Sequence, residues 1–279
     1  MSTHSLYAIQ ITDTHLFARP QMQLLGVDTS QTLQGVLEAI AQLQPPPDLL
    51  LATGDLSQDG SPESYQRLRQ ALAALSIDTY WLPGNHDSLP AMEAVLGAPR
   101  WEAGERLGES DRLLADKTFG RGNWRFILLN SAVPKQAGGH LAVEQLERLE
   151  QQLSAACHQD RHVLICLHHP PFLIESKWLD TSTLANPTEL FAVLDRFDCV
   201  RAVLFGHVHQ AWNYTRRGVK YLACPSTCVQ FQPRSDRFSL EAIAPGVRQL
   251  WFYPDGRFES KVLRVEVAAA TPDALATGY

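Results

Sequence analysis

Five short, mainly apolar runs, separated by segments of helical periodicity, constrain the fold of this 279-residue chain more than any other feature. Each run ends in a polar cluster that contains histidine, aspartate or asparagine. The runs cover residues 6–11, 48–53, 79–82, 163–167 and 202–205. Short apolar runs are typical of strands buried on both faces, as in a parallel sheet covered by helices. The sequence therefore predicts an α/β fold with polar clusters at the carboxyl ends of its strands.

The segments between these runs carry helix signals. Thr29-Ser30 predicts the cap of a helix that ends near residue 42. The apolar stripe of this helix consists of Leu33, Val36, Leu37 and Ile40. Ser61-Pro62-Glu63 predicts the start of a second helix, because proline is favoured at early helical positions. Helical periodicity also covers residues 143–156 and 187–195, whereas residues 88–117 show less regular patterning.

The second half of the chain adds more strands. Residues 124–130 predict one strand, and residues 214–222 predict a hairpin that turns at Arg217-Gly218. Residues 238–243, 248–253 and 258–265 predict the last strands. The simplest arrangement is two sheets packed face to face with helices outside. We expect one domain, residues 1–265, and a loose tail, residues 266–279, that is rich in alanine, threonine and proline.

Charge and cysteine usage limit the class of partner and the compartment. The formal net charge of −6 argues against a nucleic-acid polymer as the main partner, since such binding requires many lysine and arginine contacts to phosphate. The first residues carry neither a basic segment nor a long apolar stretch, so we expect no signal peptide, no membrane contact and a cytoplasmic location. The five cysteines lack the even, spaced pattern of a disulfide framework, which predicts reduced thiols.

The polar clusters together form a set of metal-ligand residue types. Six of the ten histidines lie in these clusters. The set consists of Asp13, His15, Asp55, Asn85, His86, His168, His169, His207 and His209. If the chain stays extended, Asp13 and His15 share a face, as do His207 and His209. Mixed carboxylate, imidazole and amide ligands suit Mn, Fe, Zn or Co, and about seven ligands suit two ions that share a carboxylate, an arrangement used for displacement at phosphorus.

The order and spacing of these clusters match a known signature. The matching motifs are Asp13-Thr14-His15, Gly54-Asp55, Gly84-Asn85-His86-Asp87, His168 and Gly206-His207-Val208-His209. In this order they resemble the calcineurin-like metallophosphoesterases, with no ligand missing. Residues 11–17, 81–87 and 225–231 further resemble the bacterial class III cyclic-AMP phosphodiesterases of that family. The resemblance implies a four-layer α/β/β/α sandwich of two mixed sheets.

The resemblance also assigns roles to the site residues. One divalent metal ion would be held by Asp13, His15, Asp55 and His209, and a second by Asp55, Asn85, His168 and His207. Fe and Mn are the expected metals, with Zn, Co or Mg as alternatives. His86 would donate to a phosphate oxygen or protonate the leaving group, and Asp87 would orient His86. The substrate would contact His15, Asp55, Asn85, His86 and His209.

The implied reaction is hydrolysis of 3′,5′-cyclic AMP to 5′-AMP by in-line attack of a metal-bridging hydroxide. The implied partner is thus a small cyclic nucleotide, bound by a monomer or a homodimer. Two alternatives stay open: a broader phosphodiesterase acting on 2′,3′-cyclic nucleotides or glycerophosphodiesters, and a metal-bound scaffold without turnover.

Three residues or segments beside the signature have two interpretations each. His169 could be a further ligand, or it could point away from the ligands and pack or support them from behind. Trp178 could stack on a base or anchor its loop. Residues 225–231 could shape a nucleotide pocket or form an ordinary strand turn.

Overall fold

The structure, a computed structural model, describes residues 5–100, 112–273 and 275–278. In chain order its strands are β1 (Leu6–Ile11), β2 (Gln23–Leu24), β3 (Val27–Asp28), β4 (Leu49–Thr53), β5 (Asp78–Leu82), β6 (Leu113–Leu114), β7 (Thr118–Arg121), β8 (Trp124–Leu128), β9 (His162–Cys166), β10 (Val200–Phe205), β11 (Trp212–Arg216), β12 (Val219–Ala223), β13 (Gln230–Phe231), β14 (Leu240–Glu241), β15 (Gly246–Phe252) and β16 (Phe258–Arg264). The helices are α1 (Thr29–Ala41), α2 (Pro62–Ala73), α3 (Leu89–Leu96), α4 (Val143–His158) and α5 (Pro187–Leu194), with a 3₁₀ turn at Asp180–Ser182.

Two six-stranded mixed sheets form the centre of the molecule. The first has the order β16-β15-β1-β4-β5-β6, in which β1, β4, β5 and β6 run parallel and β15 and β16 are antiparallel. The second has the order β11-β12-β10-β9-β8-β7, in which β8, β9, β10 and β12 run parallel and the two edge strands are antiparallel. Five of these parallel strands, β1, β4, β5, β9 and β10, are the ones that the apolar runs predicted.

Alternation along each strand divides the core between the two faces of its sheet. Ala8 and Leu51 pack between the sheets with Phe126 and Leu204 of the second sheet. Ile9 and Leu50 face the other way, against α1, α2 and α3. The second sheet buries its outer face under α4 and α5. The result is the expected four-layer α/β/β/α sandwich, in which the two parallel strand sets end close together.

The start of α1 differs from the prediction, and α3 was not predicted. The cap of α1 is Asp28, not Thr29-Ser30, because the Asp28 carboxylate accepts hydrogen bonds from the backbone N–H groups of Ser30 and Gln31, each at 3.0 Å. Helix α3 lies within the stretch predicted to be less regular. Its eight residues begin with a proline in the first turn and bury only Met92 and Leu96, so their periodic signal is weak. The predicted start of α2 is confirmed, with Ser61 as its cap.

The cysteines include one pair that the sequence did not predict. Cys157 at the end of α4 and Cys199 just before β10 form a disulfide, so the expectation that all five thiols are reduced was wrong. The two residues are 42 positions apart in sequence, and no short motif marks the pair. Cys166, Cys224 and Cys228 are free and buried.

The later strands largely follow the prediction. The β11–β12 hairpin turns at Arg217-Gly218, both with positive φ, as expected. The strand expected at 238–243 is reduced to the two residues of β14. In the tail, the Asp273 N–H donates to the Leu25 carbonyl at 2.7 Å, and the division into a domain and a tail stays a prediction. Among the described residues, no helix has the length and apolar character needed to span a bilayer.

Candidate metal centre

The predicted ligands meet where the parallel strands of both sheets end. Asp13 and His15 follow β1, Asp55 follows β4 and Asn85 follows β5. His168 follows β9, and His207 and His209 follow β10. The side chains of these residues are buried, except that Asn85 is half-buried. The structure therefore brings together all seven residues that the sequence predicted as ligands.

Most of these residues have a left-handed backbone. The φ angles are 52°, 45°, 48°, 69° and 49° for Asp13, His15, Asp55, His207 and His209. Such angles are uncommon for residues with a side chain and concentrate at functional sites. The expected extended conformation for the two i, i+2 pairs was therefore wrong. In the first pair the side chains still approach each other, with His15 Nε2 at 4.0 Å from Asp13 Oδ1.

Two glycines let the loops approach closely. A Cβ atom at Gly84 would lie 2.2 Å from Oδ1 of Asp55, and one at Gly206 would lie 2.1 Å from Oγ1 of Thr12. Neither glycine has a positive φ, so space and not backbone freedom requires glycine here. The absence of these side chains lets the β5 and β10 loops pack directly against the carboxylates.

The carboxylates and imidazoles converge within a few ångströms. His168 Nε2 lies 3.1 Å from Asp55 Oδ2 and 3.9 Å from Asp13 Oδ1. His209 Nε2 lies 3.4 Å from Asp13 Oδ1, and His15 Nε2 lies 3.9 Å from Asp55 Oδ2. The two atoms His15 Nε2 and His209 Nε2 are 3.2 Å apart. Asp55 Oδ2 thus lies between the two halves of the cluster.

Hydrogen bonds on the far nitrogens assign the tautomers of three histidines. The Nδ1–H of His15 donates to Gln58 Oε1 at 2.6 Å. The Nδ1–H groups of His168 and His209 donate to the carbonyls of Thr53 and Val229, both at 2.9 Å. When these imidazoles are neutral, each Nε2 carries a lone pair that points into the cluster. His168 Nε2 has no hydrogen-bond partner of suitable geometry among the described residues.

His207 presents its other nitrogen. The Ser182 hydroxyl donates to the Leu179 carbonyl at 3.0 Å, so its oxygen accepts the Nε2–H of His207, also at 3.0 Å. The Nδ1 lone pair of His207 then faces Asn85 Oδ1 at 3.0 Å. Two acceptors lie opposite each other here as well.

When the imidazoles are neutral, the converging side-chain atoms are therefore all acceptors, which is unfavourable unless a cation lies among them. The set combines carboxylate oxygens, imidazole nitrogens and an amide oxygen, a donor set that suits borderline divalent metals. Each imidazole is also held from behind by a hydrogen bond, as is usual for histidines that bind a metal. The residues present thus fit the metal ions that the sequence predicted.

Without a cation, the cluster is electrostatically coupled. Burial opposes ionisation of Asp55, but the surrounding imidazoles, with His168 foremost, hold its pKa well below the ordinary value. Burial likewise opposes protonation of His168, but Asp55 and Asp13 outweigh it and raise the pKa to about 9. Burial lowers the pKa of His15 and of His207 well below the ordinary value. A metal ion would therefore compete with a proton for the centre.

His86 and Asp87 lie beside the cluster. The backbone N–H of His86 donates to Asp55 Oδ1 at 2.9 Å, and its half-buried ring meets that of His15 edge-on with centroids 5.1 Å apart.

Both oxygens of Asp87 are already occupied. They accept the backbone N–H groups of Leu56, Ser57 and Gly84 and the hydroxyl of Tyr65, at 2.8–3.1 Å. Four hydrogen bonds fill the acceptor sites of a carboxylate. Burial and the charge of Asp55 raise the pKa of Asp87 to about 7. Asp87 thus ties the loop that carries His86 to the Asp55 loop and to α2, and its orienting role towards His86 stays a prediction.

His169 does not face the cluster with a free nitrogen. The Ser131 hydroxyl donates to its Nδ1 at 2.8 Å, and its Nε2–H donates to the Ala137 carbonyl at 3.1 Å. Burial, reinforced by His168, lowers its pKa to about 3. This supports the packing interpretation of His169.

Residues 225–231 and Trp178, which also had two interpretations each, make structural contacts. The ring of Phe231 stacks on His209 with centroids 4.2 Å apart, so the end of segment 225–231 packs against a predicted metal ligand. Trp178 packs between Phe231 and Phe238, which fits the anchor interpretation.

The supporting residues Gln58, Tyr65 and Ser182 were missed from sequence. Gln58 lies three residues after Asp55 and could have been suspected, whereas Ser182 comes from a distant 3₁₀ turn and carries no sequence signal.

Comparison with known families gives one match that covers most of the chain. The model of the family described as calcineurin-like phosphoesterase matches residues 7–211. This range includes every residue of the predicted ligand set.

Curated relatives align over nearly their full length. A protein of Nostoc sp. named 3′,5′-cyclic-nucleotide phosphodiesterase is 43% identical over 97% of this chain and 96% of its own. The 3′,5′-cyclic adenosine monophosphate phosphodiesterases CpdA of Escherichia coli and Vibrio vulnificus are 42% and 39% identical. The alignment with the Escherichia coli protein covers 97% of this chain and 94% of that protein. The alignment with the Vibrio vulnificus protein covers 100% of this chain and 97% of that protein.

Among solved structures, a dimetal phosphatase from Danio rerio superimposes with a TM-score of 0.65. The match covers 94% of this chain and 100% of that one, at 15% identity, and so concerns the fold alone.

Proposed function

Because the chain belongs to the calcineurin-like phosphoesterase family, we propose that it hydrolyses 3′,5′-cyclic AMP to 5′-AMP. The names of the relatives that align over nearly the whole chain support this substrate. The observation that carries the chemistry is the buried cluster in which two carboxylates and the ring nitrogens of four imidazoles converge.

We infer two divalent metal ions in this cluster. Asp13, His15, Asp55 and His209 would hold one, and Asp55, Asn85, His168 and His207 the other. The central position of Asp55 Oδ2 supports a shared ligand. Fe and Mn are the metals we propose, with Zn, Co or Mg as alternatives. When bound, two such ions would lower the pKa of water towards neutrality and offset the charge of a phosphodiester.

The chain's own residues would orient and protonate the substrate. Of the six site imidazoles, that of His86 is half-buried and the other five are buried. His86 is therefore the group we propose to contact a phosphate oxygen or protonate the leaving ribose oxygen. His15, Asp55, Asn85 and His209 would contact the substrate beside it. Asp87 would hold His86 in place through the four hydrogen bonds on its carboxylate.

The deciding experiment is steady-state hydrolysis by metal-free protein reloaded with Mn or Fe. The value of kcat/KM for 3′,5′-cyclic AMP should exceed the values for 2′,3′-cyclic AMP and bis(p-nitrophenyl) phosphate. Equal or higher values on the other substrates would favour the broad phosphodiesterase instead. The monomeric or homodimeric state and the cytoplasmic location stay predictions.

Two variants separate the roles of ligand and acid. His86→Ala should keep its metal and lose about 10²–10⁴-fold in kcat, the usual contribution of a general acid. Asp55→Ala should lose both metal and activity, because Asp55 lies between both halves of the cluster. Metal content by elemental analysis and turnover would be measured together. Loss of metal in His86→Ala would contradict this division, and wild-type turnover no higher than that of His86→Ala would favour the scaffold.

A further inference from the structure

Residues 225–231 lie against the candidate metal centre without belonging to the predicted ligands. The segment follows β12 and ends with β13, and every residue in it is buried. Two of its polar side chains, Ser226 and Gln230, are at most 1% exposed. Buried polar groups are kept in a fold when they have hydrogen-bond partners, so the partners of these side chains indicate what the segment does.

The first half of the segment holds the backbone of Asp13. The Ser226 hydroxyl donates to the Asp13 carbonyl at 2.8 Å, and the Cys228 thiol donates to the same oxygen at 3.3 Å. The Thr227 N–H donates to the carbonyl of the preceding residue, Thr12, at 3.2 Å. Asp13 has a φ of 52°, a conformation that persists only when the surroundings support it. These three contacts therefore fix the turn from which the Asp13 carboxylate reaches the cluster.

The second half of the segment holds the ring of His209. The Val229 carbonyl accepts the Nδ1–H of His209 at 2.9 Å. The Phe231 ring stacks on the imidazole with 14° between the two planes, and the Phe231 N–H donates to the His209 carbonyl at 3.3 Å. The segment thus determines both the orientation of this ring and the nitrogen that it offers to a metal.

Gln230 joins the two halves of the segment. Its amide NH₂ group donates to the Ser226 carbonyl at 2.8 Å and to the Val229 carbonyl at 3.1 Å. Its Oε1 accepts from Arg264 of β16 at 2.8 Å, which assigns the orientation of the amide. The N–H of Gly246, at the start of β15, donates to the Ser226 carbonyl at 3.0 Å. The first sheet therefore holds the segment from behind as one body.

Other parts of the chain hold the ligands predicted for the second ion. The Thr53 carbonyl accepts from the His168 ring, and the Ser182 hydroxyl accepts from the His207 ring. Asn85 lies on the loop after β5 and faces His207. The two predicted ions therefore differ in the part of the chain that supports their ligands.

We propose that residues 225–231 position Asp13 and His209 as one unit, so that this segment determines the affinity of the first of the two metal ions. The inference rests on the proposed function in that Asp13 and His209 bind the same ion. His209 Nε2 and Asp13 Oδ1 lie 3.4 Å apart, a separation that one ion can bridge. Ser226, Cys228 and Gln230 are thus positioning residues, which act on the ion through its two ligands.

The test is titration of metal-free protein with Mn²⁺, followed by calorimetry and by electron paramagnetic resonance. The resonance spectrum distinguishes a coupled pair of ions from a single ion. Wild type should bind two ions per chain and show the coupled signal. Ser226→Ala removes a donor to the Asp13 carbonyl, so it should weaken one ion by about 10–100-fold and leave the other unchanged. At Mn²⁺ concentrations between the two Kd values, this variant should show the signal of a single ion.

Cysteine variants separate the hydrogen bond from simple filling of space. Cys228→Ala should weaken the same ion, whereas Cys228→Ser keeps a donor to the Asp13 carbonyl and should restore the wild-type affinity. Cys224→Ala is the matched control, because the buried thiol of Cys224 donates to the Gln10 carbonyl at 3.4 Å and to no predicted ligand. This control should bind both ions as wild type does.

Two further backgrounds identify which ion responds. Asn85→Ala removes a predicted ligand of the second ion, and His209→Ala removes one of the first. Addition of Ser226→Ala should weaken the remaining ion by about 10–100-fold in the Asn85→Ala background. The same addition should leave the remaining ion unchanged in the His209→Ala background.

Equal weakening of both ions in Ser226→Ala would overturn the proposal, as would a Cys228→Ser variant that binds metal no better than Cys228→Ala. If Ser226→Ala does not fold by circular dichroism, the two Cys228 variants decide. None of these measurements uses a nucleotide. If the variants behave as expected but wild type does not turn over 3′,5′-cyclic AMP, the proposed function fails and the positioning role stands.

Discussion

Each histidine of the candidate centre is fixed by one hydrogen bond on the nitrogen that faces away from the cluster. For His15, His168 and His209 the acceptor is a side-chain or backbone carbonyl oxygen, and for His207 it is the Ser182 hydroxyl. These bonds determine which nitrogen offers its lone pair. The supporting acceptors are therefore as necessary to the geometry as the ligands.

Ser182→Ala should weaken metal binding by about 10–100-fold, the usual effect of losing such a support. The variant leaves the Nε2–H of His207 without its acceptor and removes the bond that selects the tautomer. Titration of the metal against a fluorescent chelator would measure the change. Thr181→Ala, in the same 3₁₀ turn but bonded to the Trp178 carbonyl, is the control and should bind metal as wild type does.

His169 should make stability depend on pH. Its pKa is lowered from 6.5 to about 3 on folding, so the unfolded chain takes up a proton that the folded protein does not. This contribution of His169 to the free energy of unfolding is present above pH 6.5 and is lost as the pH falls from 6.5 towards 3. Between pH 7.5 and 5.5 the free energy of unfolding should therefore fall by about 1.4 kcal/mol.

Urea unfolding at these two pH values would measure this effect in wild type and in His169→Gln. A glutamine can still donate to the Ala137 carbonyl but does not titrate. The variant should lose about 1.4 kcal/mol less than wild type over the interval. Equal losses in both proteins would show that His169 does not cause the dependence.

The loops after the strands place the ligands by close packing and left-handed backbone. Gly206 follows the end of β10 and packs against Thr12 and Asp13 of the neighbouring loop. Five of the ligands adopt positive φ in these loops. The loops therefore hold residues in strained backbone conformations, which the packing of the two sheets maintains.

Gly206→Ala should damage metal binding together with stability. The new Cβ would lie 2.1 Å from Thr12 Oγ1 and 2.8 Å from Asp13 Oδ2, so the Asp13 carboxylate must move. We expect a loss of about 1–3 kcal/mol in unfolding free energy and weaker metal binding. In Gly120→Ala, the nearest atom would be 3.8 Å away, so this change in β7 should affect neither. Wild-type metal affinity in Gly206→Ala would disprove the close-packing account.

The sequence predicts the buried strands better than the backbone of the loops between them. The bounds of β1 agree with the apolar run, and β4, β5, β9 and β10 agree within two residues at each end. Hydrophobic runs report burial, which is what these strands share. The left-handed φ of His207 and His209 occurs next to the tightly packed Gly206, and no local pattern encodes it. The Asp28 cap was missed because Thr29 and Ser30 are equally good caps.

At the level of the whole chain, the candidate centre joins the two sheets. Asp13, His15, Asp55 and Asn85 extend from the first sheet, and the remaining ligands extend from the second. The fold and this meeting point were predicted from the order of the motifs. The Cys157–Cys199 disulfide was not, since it depends on how α4 packs beside β10.

Removing the metal should loosen the link between the sheets. Metal at about 100 times its Kd would stabilise the folded state by about 2.7 kcal/mol per site. For a chain of this size we expect chelation to lower the Tm by about 5–10 °C. Differential scanning calorimetry with and without chelator would measure this. A Tm that does not respond to chelation would contradict a metal shared between the sheets.

The centre also has a consequence for how the protein is made. Its first ligand, Asp13, and its last, His209, are separated by about 200 residues. At about 5–20 residues per second, ribosomes need roughly 10–40 s to synthesise this interval. During that time the nascent chain displays Asp13, His15 and Asp55 without the histidines of the second sheet. Metal loading must therefore follow release of nearly the whole chain from the ribosome, because the complete set of ligands exists only then.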